Sequence, residues 1–275
     1  MSEMTTPVET IDGDWSRGLV LTCDHARNAL PAEYGSLGLP PGEFERHIAY
    51  DIGARAVTLA LAERLKAPAV LSMFSRLLID PNRGEDDPTV VMRLSDGTVI
   101  PGNHPLGEQE IENRLERFHR PYRRAVDAAL DRVFAAGAVP AVFAVHSFTP
   151  QWKSFRRPWQ VGLLWDSDPR FTRLLLAELR ADESLTVGDN EPYDGALKND
   201  VLYTHCTARG LAHTLIEIRQ DLIADDEGVN AWADRLAPML GRINALAELH
   251  AIRHFGSRVG PVELRPNPPI AGPAQ

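Results

Sequence analysis

Ala141-Val142-Phe143-Ala144-Val145-His146-Ser147 is the stretch from which the fold can be read. Five apolar residues without polar alternation make a strand buried on both faces, and the run stops on an imidazole and a hydroxyl. In open α/β sheets, ligands bind beyond the carboxyl ends of the strands. A strand that ends in His-Ser therefore points at a site as well as at a sheet.

The same form recurs outward from it. Residues 18–23 make a short buried strand ending in Cys23-Asp24-His25. Residues 69–74 make a second, leading into Ser75-Arg76-Leu77-Leu78-Ile79-Asp80-Pro81-Asn82-Arg83, read as an apolar strand that delivers an amide and two guanidiniums to one edge. Residues 161–165 form a fourth strand, and His213–Ile218 a late one carrying Glu217. Helical spacing falls between them: 41–65, 108–134 with an interruption at Pro121 and a stop at Gly137, 170–179 capped by Asp168-Pro169, and 226–250. This alternation predicts a single-domain α/β fold with a mostly parallel or mixed central sheet and helices on both faces. The domain is expected over residues 17–258, after a polar, loose segment 1–16 and before a tail, 259–275, with the run Arg265-Pro266-Asn267-Pro268-Pro269.

Composition narrows the partners. At 275 residues and 44% hydrophobic content the chain can bury a large core. A net charge of -9, with no basic run longer than Arg123-Arg124 or Arg156-Arg157, argues against nucleic acid. No apolar run has membrane-spanning length and no signal pattern opens the chain. Two cysteines, Cys23 and Cys206, cannot make a disulfide framework, which agrees with a reducing cytoplasm.

The strand ends carry the chemistry. His25 and His146 are candidate metal ligands, each with a structural hydrogen bond as its bland alternative. Two neutral imidazoles and one oxygen ligand would leave a zinc ion an open position, where bound water falls to a pKa of roughly 7. Glu217 sits in an otherwise apolar strand and needs a partner: a proton to move, or an ion pair with Arg219 on the same strand face. Arg76, Asn82 and Arg83 suit a small acid, because guanidinium forks bind carboxylates bidentately. Asp189–Gly195 is a polar loop, either a plain turn or a lid contributing Tyr193 or Glu191. The tryptophans 152, 159 and 165 with Arg156 and Arg157 pack a core or stack on a ligand. Cys23 lacks the third orienting group of a thiol nucleophile. His104, His250 and His254 receive no role.

Four segments together resemble the N-formylglutamate amidohydrolase family in its shorter bacterial branch: residues 23–31, 47–53, 75–83 and Ala144-Val145-His146-Ser147-Phe148. More distantly, the landmarks are similar to zinc carboxypeptidases and aspartoacylase-like deacylases. The resemblance implies a zinc-exopeptidase-like (phosphorylase/hydrolase-like) fold and one Zn2+ per chain. It further implies His25 and His146 as metal imidazoles, Glu217 as general base, Arg76 beside the scissile carbonyl, and Asn82 with Arg83 as carboxylate clamp, with Arg219 and Asn28 among the substrate-binding residues. Where those families carry a carboxylate three residues after the first His, this chain has Asn28. Asp51 is the first substitute for the oxygen ligand, sharing a helix face with His47; Asp24, Asn28 or a water are the others. The implied reaction is metal-dependent hydrolysis of a small N-acyl amino acid, N-formyl-L-glutamate first, to formate and glutamate. Alternatives are a deacylase or carboxypeptidase for another such substrate, and a non-catalytic amino-acid sensor.

Overall fold

Along residues 19–23 the side chains of Leu19, Leu21 and Cys23 point one way and those of Val20 and Thr22 the other, and all five are buried. A strand buried on both faces needs cover on both, and the computed structural model, which describes residues 6–271, supplies it. The main strands are β1 (Val8–Ile11), β2 (Leu19–Cys23), β3 (Ala69–Ser72), β4 (Ala141–Phe148), β5 (Val161–Leu164), β6 (Val187–Asp189) and β7 (Ala212–Arg219). They form one sheet in the order β1-β3-β2-β4-β7-β5-β6. The four central strands run parallel, β1 is an antiparallel edge, and β5 with β6 runs opposite to β7. The sheet is therefore mixed.

The helices are α1 (Ala54–Leu65), α2 (Glu108–Arg114), α3 (Arg120–Ala135), α4 (Thr172–Arg180), α5 (Val201–His205) and α6 (Asp226–Asn244). One face of the sheet packs on α1, α4 and α6 through Val57, Leu61, Leu175, Leu179, Leu236 and Leu240. The other packs on α3 through Tyr122, Val126, Leu130 and Val133. Each such aliphatic side chain contributes about 1.5–3 kcal/mol by its burial. No helix among the described residues is long and apolar enough to cross a membrane.

Four local expectations need correction. Residues 75–83 are a turn rather than a strand: the Leu78 amide donates to the Ser75 carbonyl (3.0 Å) and the Leu77 amide to Ser75 Oγ (3.2 Å), while Leu77, Leu78 and Ile79 fill the core with no strand partner. Apolar runs of this length do not distinguish a ladder from a packed turn. The helix expected over 41–65 is a 3-10 turn, Pro41–Glu45, followed by α1; Gly53, at φ 81°, breaks the chain just before α1, and Asp51 lies on the intervening turn. His47 and Asp51 thus share no helix face. The long helix over 108–134 does not break at Pro121: α2 runs through a π turn, Leu115–His119, directly into α3, so the irregularity falls on the turn just before the proline, whose missing N–H and ring a regular α turn would not accommodate. The last helix stops at Asn244 and a 3-10 turn, Ala247–His250, follows. In addition, the polar N-terminal segment contributes an edge strand, β1, paired with β3.

Candidate active site

Each parallel strand brings its carboxyl end to the same side of the sheet, and the side chains there converge. His146 on β4 pairs in register with Glu217 on β7, and His25 follows β2 directly. The turn before α1 is tied to this edge by the Asp51 amide, which donates to the His25 carbonyl (3.0 Å), so the Asp51 carboxylate arrives between the two imidazoles. Asp51 Oδ2 meets Nδ1 of His146 at 2.7 Å and Nδ1 of His25 at 3.3 Å.

Both rings are held from behind. Nε2–H of His25 donates to Asp80 Oδ1 (2.8 Å) and Nε2–H of His146 to Asp24 Oδ2 (3.0 Å). Asp80 is fixed by two hydrogen bonds from Arg76, and Asp24 by the Tyr122 hydroxyl at 2.6 Å. Carboxylates that accept from Nε2 would, with a neutral ring, fix the tautomer and leave Nδ1 of each ring available for ligation. The donor atoms of His25, Asp51 and His146 lie within 4.8 Å of one another, buried. Two imidazole nitrogens and a carboxylate oxygen, each backed by an outer partner, fit a zinc-like cation with an open position. Asn28 is not part of this set and does not line the cavity: its Nδ2 donates to the Phe44 carbonyl at 2.8 Å. Asp24 stands behind a ring rather than among the three donors.

The charges follow from the packing. Burial opposes ionisation of Asp51, and His25 with His146 outweigh it, holding the carboxyl well below its usual range. Burial likewise opposes ionisation of Asp80, which Arg76 and His25 outweigh. Burial would also neutralise the rings; Asp24 and Asp51 raise His146, and Asp80 and Asp51 raise His25, above the ordinary histidine value. Glu217 is the exception. Burial lifts it to about 7, and its Oε2 has no hydrogen-bond partner among the described residues. A buried carboxyl poised near neutrality beside a metal-type donor set is suited to taking and returning a proton.

The cavity above this cluster measures about 340 Å3 and is lined by, among others, His25, Asp51, Arg76, Asn82, Arg83, His146, Tyr193 and Glu217. Asn82 Oδ1 accepts from the Val201 amide (3.1 Å), which leaves its Nδ2 as donor. The Arg83 carbonyl accepts from His119 Nε2–H (2.8 Å) and Arg123 (3.1 Å), fixing the backbone while its guanidinium makes no ion pair among the described residues. Arg219 lies off the cavity and pairs with Asp221 at 2.8 and 3.1 Å, so it is no partner of Glu217. The supporting role of the outer carboxylates was the part that sequence reasoning missed: Asp80 stands unassigned inside the Asp-Pro-Asn-Arg segment, Asp24 is read only as an alternative oxygen ligand, and only the fold shows which ring each supports.

Fold and site together are those of an amide-hydrolysing enzyme built on a mixed α/β sheet. The chain belongs to the N-formylglutamate amidohydrolase family, whose model matches residues 17–224. Among solved structures, the gene product Atu2144 of Agrobacterium tumefaciens is 34% identical with a TM-score of 0.82, the match covering 88% of this chain and 96% of that one. An N-formylglutamate amidohydrolase of Ralstonia eutropha JMP134 has the same fold at 23% identity and a TM-score of 0.62, over 87% and 97% of the two chains. No curated protein sequence matches the chain.

Proposed function

We propose that the protein is a metal-dependent amidohydrolase of small N-acyl amino acids, with N-formyl-L-glutamate, giving formate and glutamate, as the first substrate to test. The observation that carries this reading is the orientation of the two rings, both turning Nδ1 onto Asp51 while carboxylates hold Nε2. A zinc-type ion, when held by His25, Asp51 and His146, supplies Lewis-acid activation of water and of the acyl carbonyl.

The remaining steps belong to the chain. Asn82 Nδ2 and the Arg83 guanidinium take the substrate α-carboxylate, which fixes the acyl group at the cavity floor. Arg76, anchored on Asp80, stands at the carbonyl oxygen. Glu217 accepts the proton of the attacking water, then returns it to the leaving amine. Burial supports both halves of that cycle, since a carboxyl near neutrality holds and releases a proton at little driving force.

The test is metal content on purified protein together with formate or amine release from N-formylglutamate and a panel of N-acyl amino acids. About one metal ion per chain with chelator-sensitive release is expected. Metal-free protein that cannot be reconstituted and turns nothing over would leave a carboxylate-binding sensor in its place.

A further inference from the structure

We propose that Tyr193, aimed by Arg157, is a second hydrogen-bond donor to the reacting carbonyl oxygen. Arg157 is the starting point: it is only 5% exposed, yet no carboxylate pairs with it among the described residues. Its guanidinium donates to the Thr149 carbonyl and hydroxyl (3.1 and 3.0 Å) and to Tyr193 Oη (3.0 Å), between the rings of Phe148, Trp152 and Tyr193. A buried cation without a counter-charge is unfavourable; its partners Tyr193 and Thr149 both line the cavity, and Tyr193 lies near enough to Glu217 and Asp51 to feel their charge.

The phenol is oriented by this bond. Its oxygen accepts from Arg157, so its own hydrogen remains to be donated; burial and Glu217 keep the phenol protonated, and the guanidinium behind it polarises the O–H against them. Arg76 is less able to meet the developing charge alone, because Asp80 engages it at 2.7 and 3.1 Å and Asp51 lies 3.5 Å away.

The loop that carries Tyr193 is pinned. Asn190 Oδ1 accepts from the amides of Trp165 (2.9 Å) and Gly195 (3.1 Å), and the Asn190 amide donates to the Leu163 carbonyl (2.9 Å). The Glu191 carbonyl sits where a side chain on Gly162 would be, 1.8 Å from a Cβ built there. Gly195 lies nearly as close to Trp165, its Cβ position 2.1 Å from the amide nitrogen. Such close approach is open only to glycine. The loop backbone is therefore fixed, and the phenol, 44% exposed, is held from behind by Arg157, an arrangement that can preorganise a donor for an oxyanion. The step is a hydrogen bond without proton transfer, so no atom or electron balance changes.

This assignment rests on the amide-hydrolase reading. Tyr193→Phe is expected to lower kcat about 10–100-fold, with KM and metal content little changed, and to weaken a phosphonate analogue of the tetrahedral state by the same factor while leaving glutamate binding intact. Arg157→Lys should act in the same direction, and the double variant should be no slower than Tyr193→Phe alone. An active wild type whose Tyr193→Phe variant keeps its kcat, or loses only in KM, would overturn the assignment alone. A wild type inactive on every N-acyl amino acid would overturn the amide-hydrolase reading as well.

Discussion

His146 and Glu217 stand opposite each other in the register of two neighbouring parallel strands, β4 and β7, and their side chains project to the same face of the sheet. One is surrounded by carboxylates and held charged; the other has an oxygen with no hydrogen-bond partner among the described residues and is lifted toward neutrality. Adjacent positions thus carry opposite charge tendencies, because Asp24 and Asp51 hydrogen-bond the ring, whereas burial and the nearby Asp51 charge both oppose ionisation of Glu217.

Glu217 gives the first prediction, in the metal-free protein. Its carboxyl rises from an ordinary 4.5 to about 7 on folding, so its stabilising contribution is complete below about 4.5 and is lost as the pH rises through about 7. Glu217→Gln, which imitates the neutral acid, should be more stable than wild type at pH 8 by on the order of a few kcal/mol, read as a higher melting temperature, and the two should converge near pH 4. The same variant, loaded with metal, should bind substrate and lose most turnover. Retained turnover would remove Glu217 from proton transfer.

Metal binding should release protons. Without a cation the two rings are held protonated by Asp24, Asp51 and Asp80, and ligation through Nδ1 requires the neutral form. Calorimetric titration of chelated protein with Zn2+ at pH 7 should give an apparent enthalpy that changes with the ionisation enthalpy of the buffer. A buffer-independent enthalpy would contradict ligation by these rings.

The outer carboxylates should matter nearly as much as the ligands. Asp24→Asn and Asp80→Asn each weaken the Nε2–H acceptor of one ring and should lower metal affinity about 10–100-fold without unfolding the protein. Competition with a fluorescent chelator measures this directly; unchanged affinity would confine these residues to packing.

Arg83→Ala should raise KM on the order of 10–100-fold for substrates with a free α-carboxylate, since a hydrogen bond to a charged group contributes roughly 1.5–3 kcal/mol. A carboxyl-amidated analogue should lose little. Equal losses on both substrates would refute the clamp.

Much of this is legible in the chain. The apolar runs of β2, β3, β4, β5 and β7 announce strands because burial on both faces removes polar alternation. Three of those runs end on or carry His25, His146 and Glu217, which a parallel arrangement must bring to one edge. Residues 75–83 mislead, because Leu77, Leu78 and Ile79 are as apolar as a strand but bury themselves in a turn. Asn28 and Arg219 are expected at the substrate because they fall on family-like positions, three residues after the first His and in a Glu-x-Arg pair; each instead has a local partner, the Phe44 carbonyl and Asp221.

The sequence by itself determined the α/β class, the family and the residue types of the site, since hydrophobic period and short motifs are local properties of the chain. Only the tertiary structure decided which oxygen stands between the two rings, which carboxylate stands behind each, and that Arg157 lies buried against Tyr193 with no carboxylate paired to it among the described residues. Those are contacts between residues 26 to 122 positions apart. Their energies depend on burial and on atomic distance, neither of which is written in the order of residues.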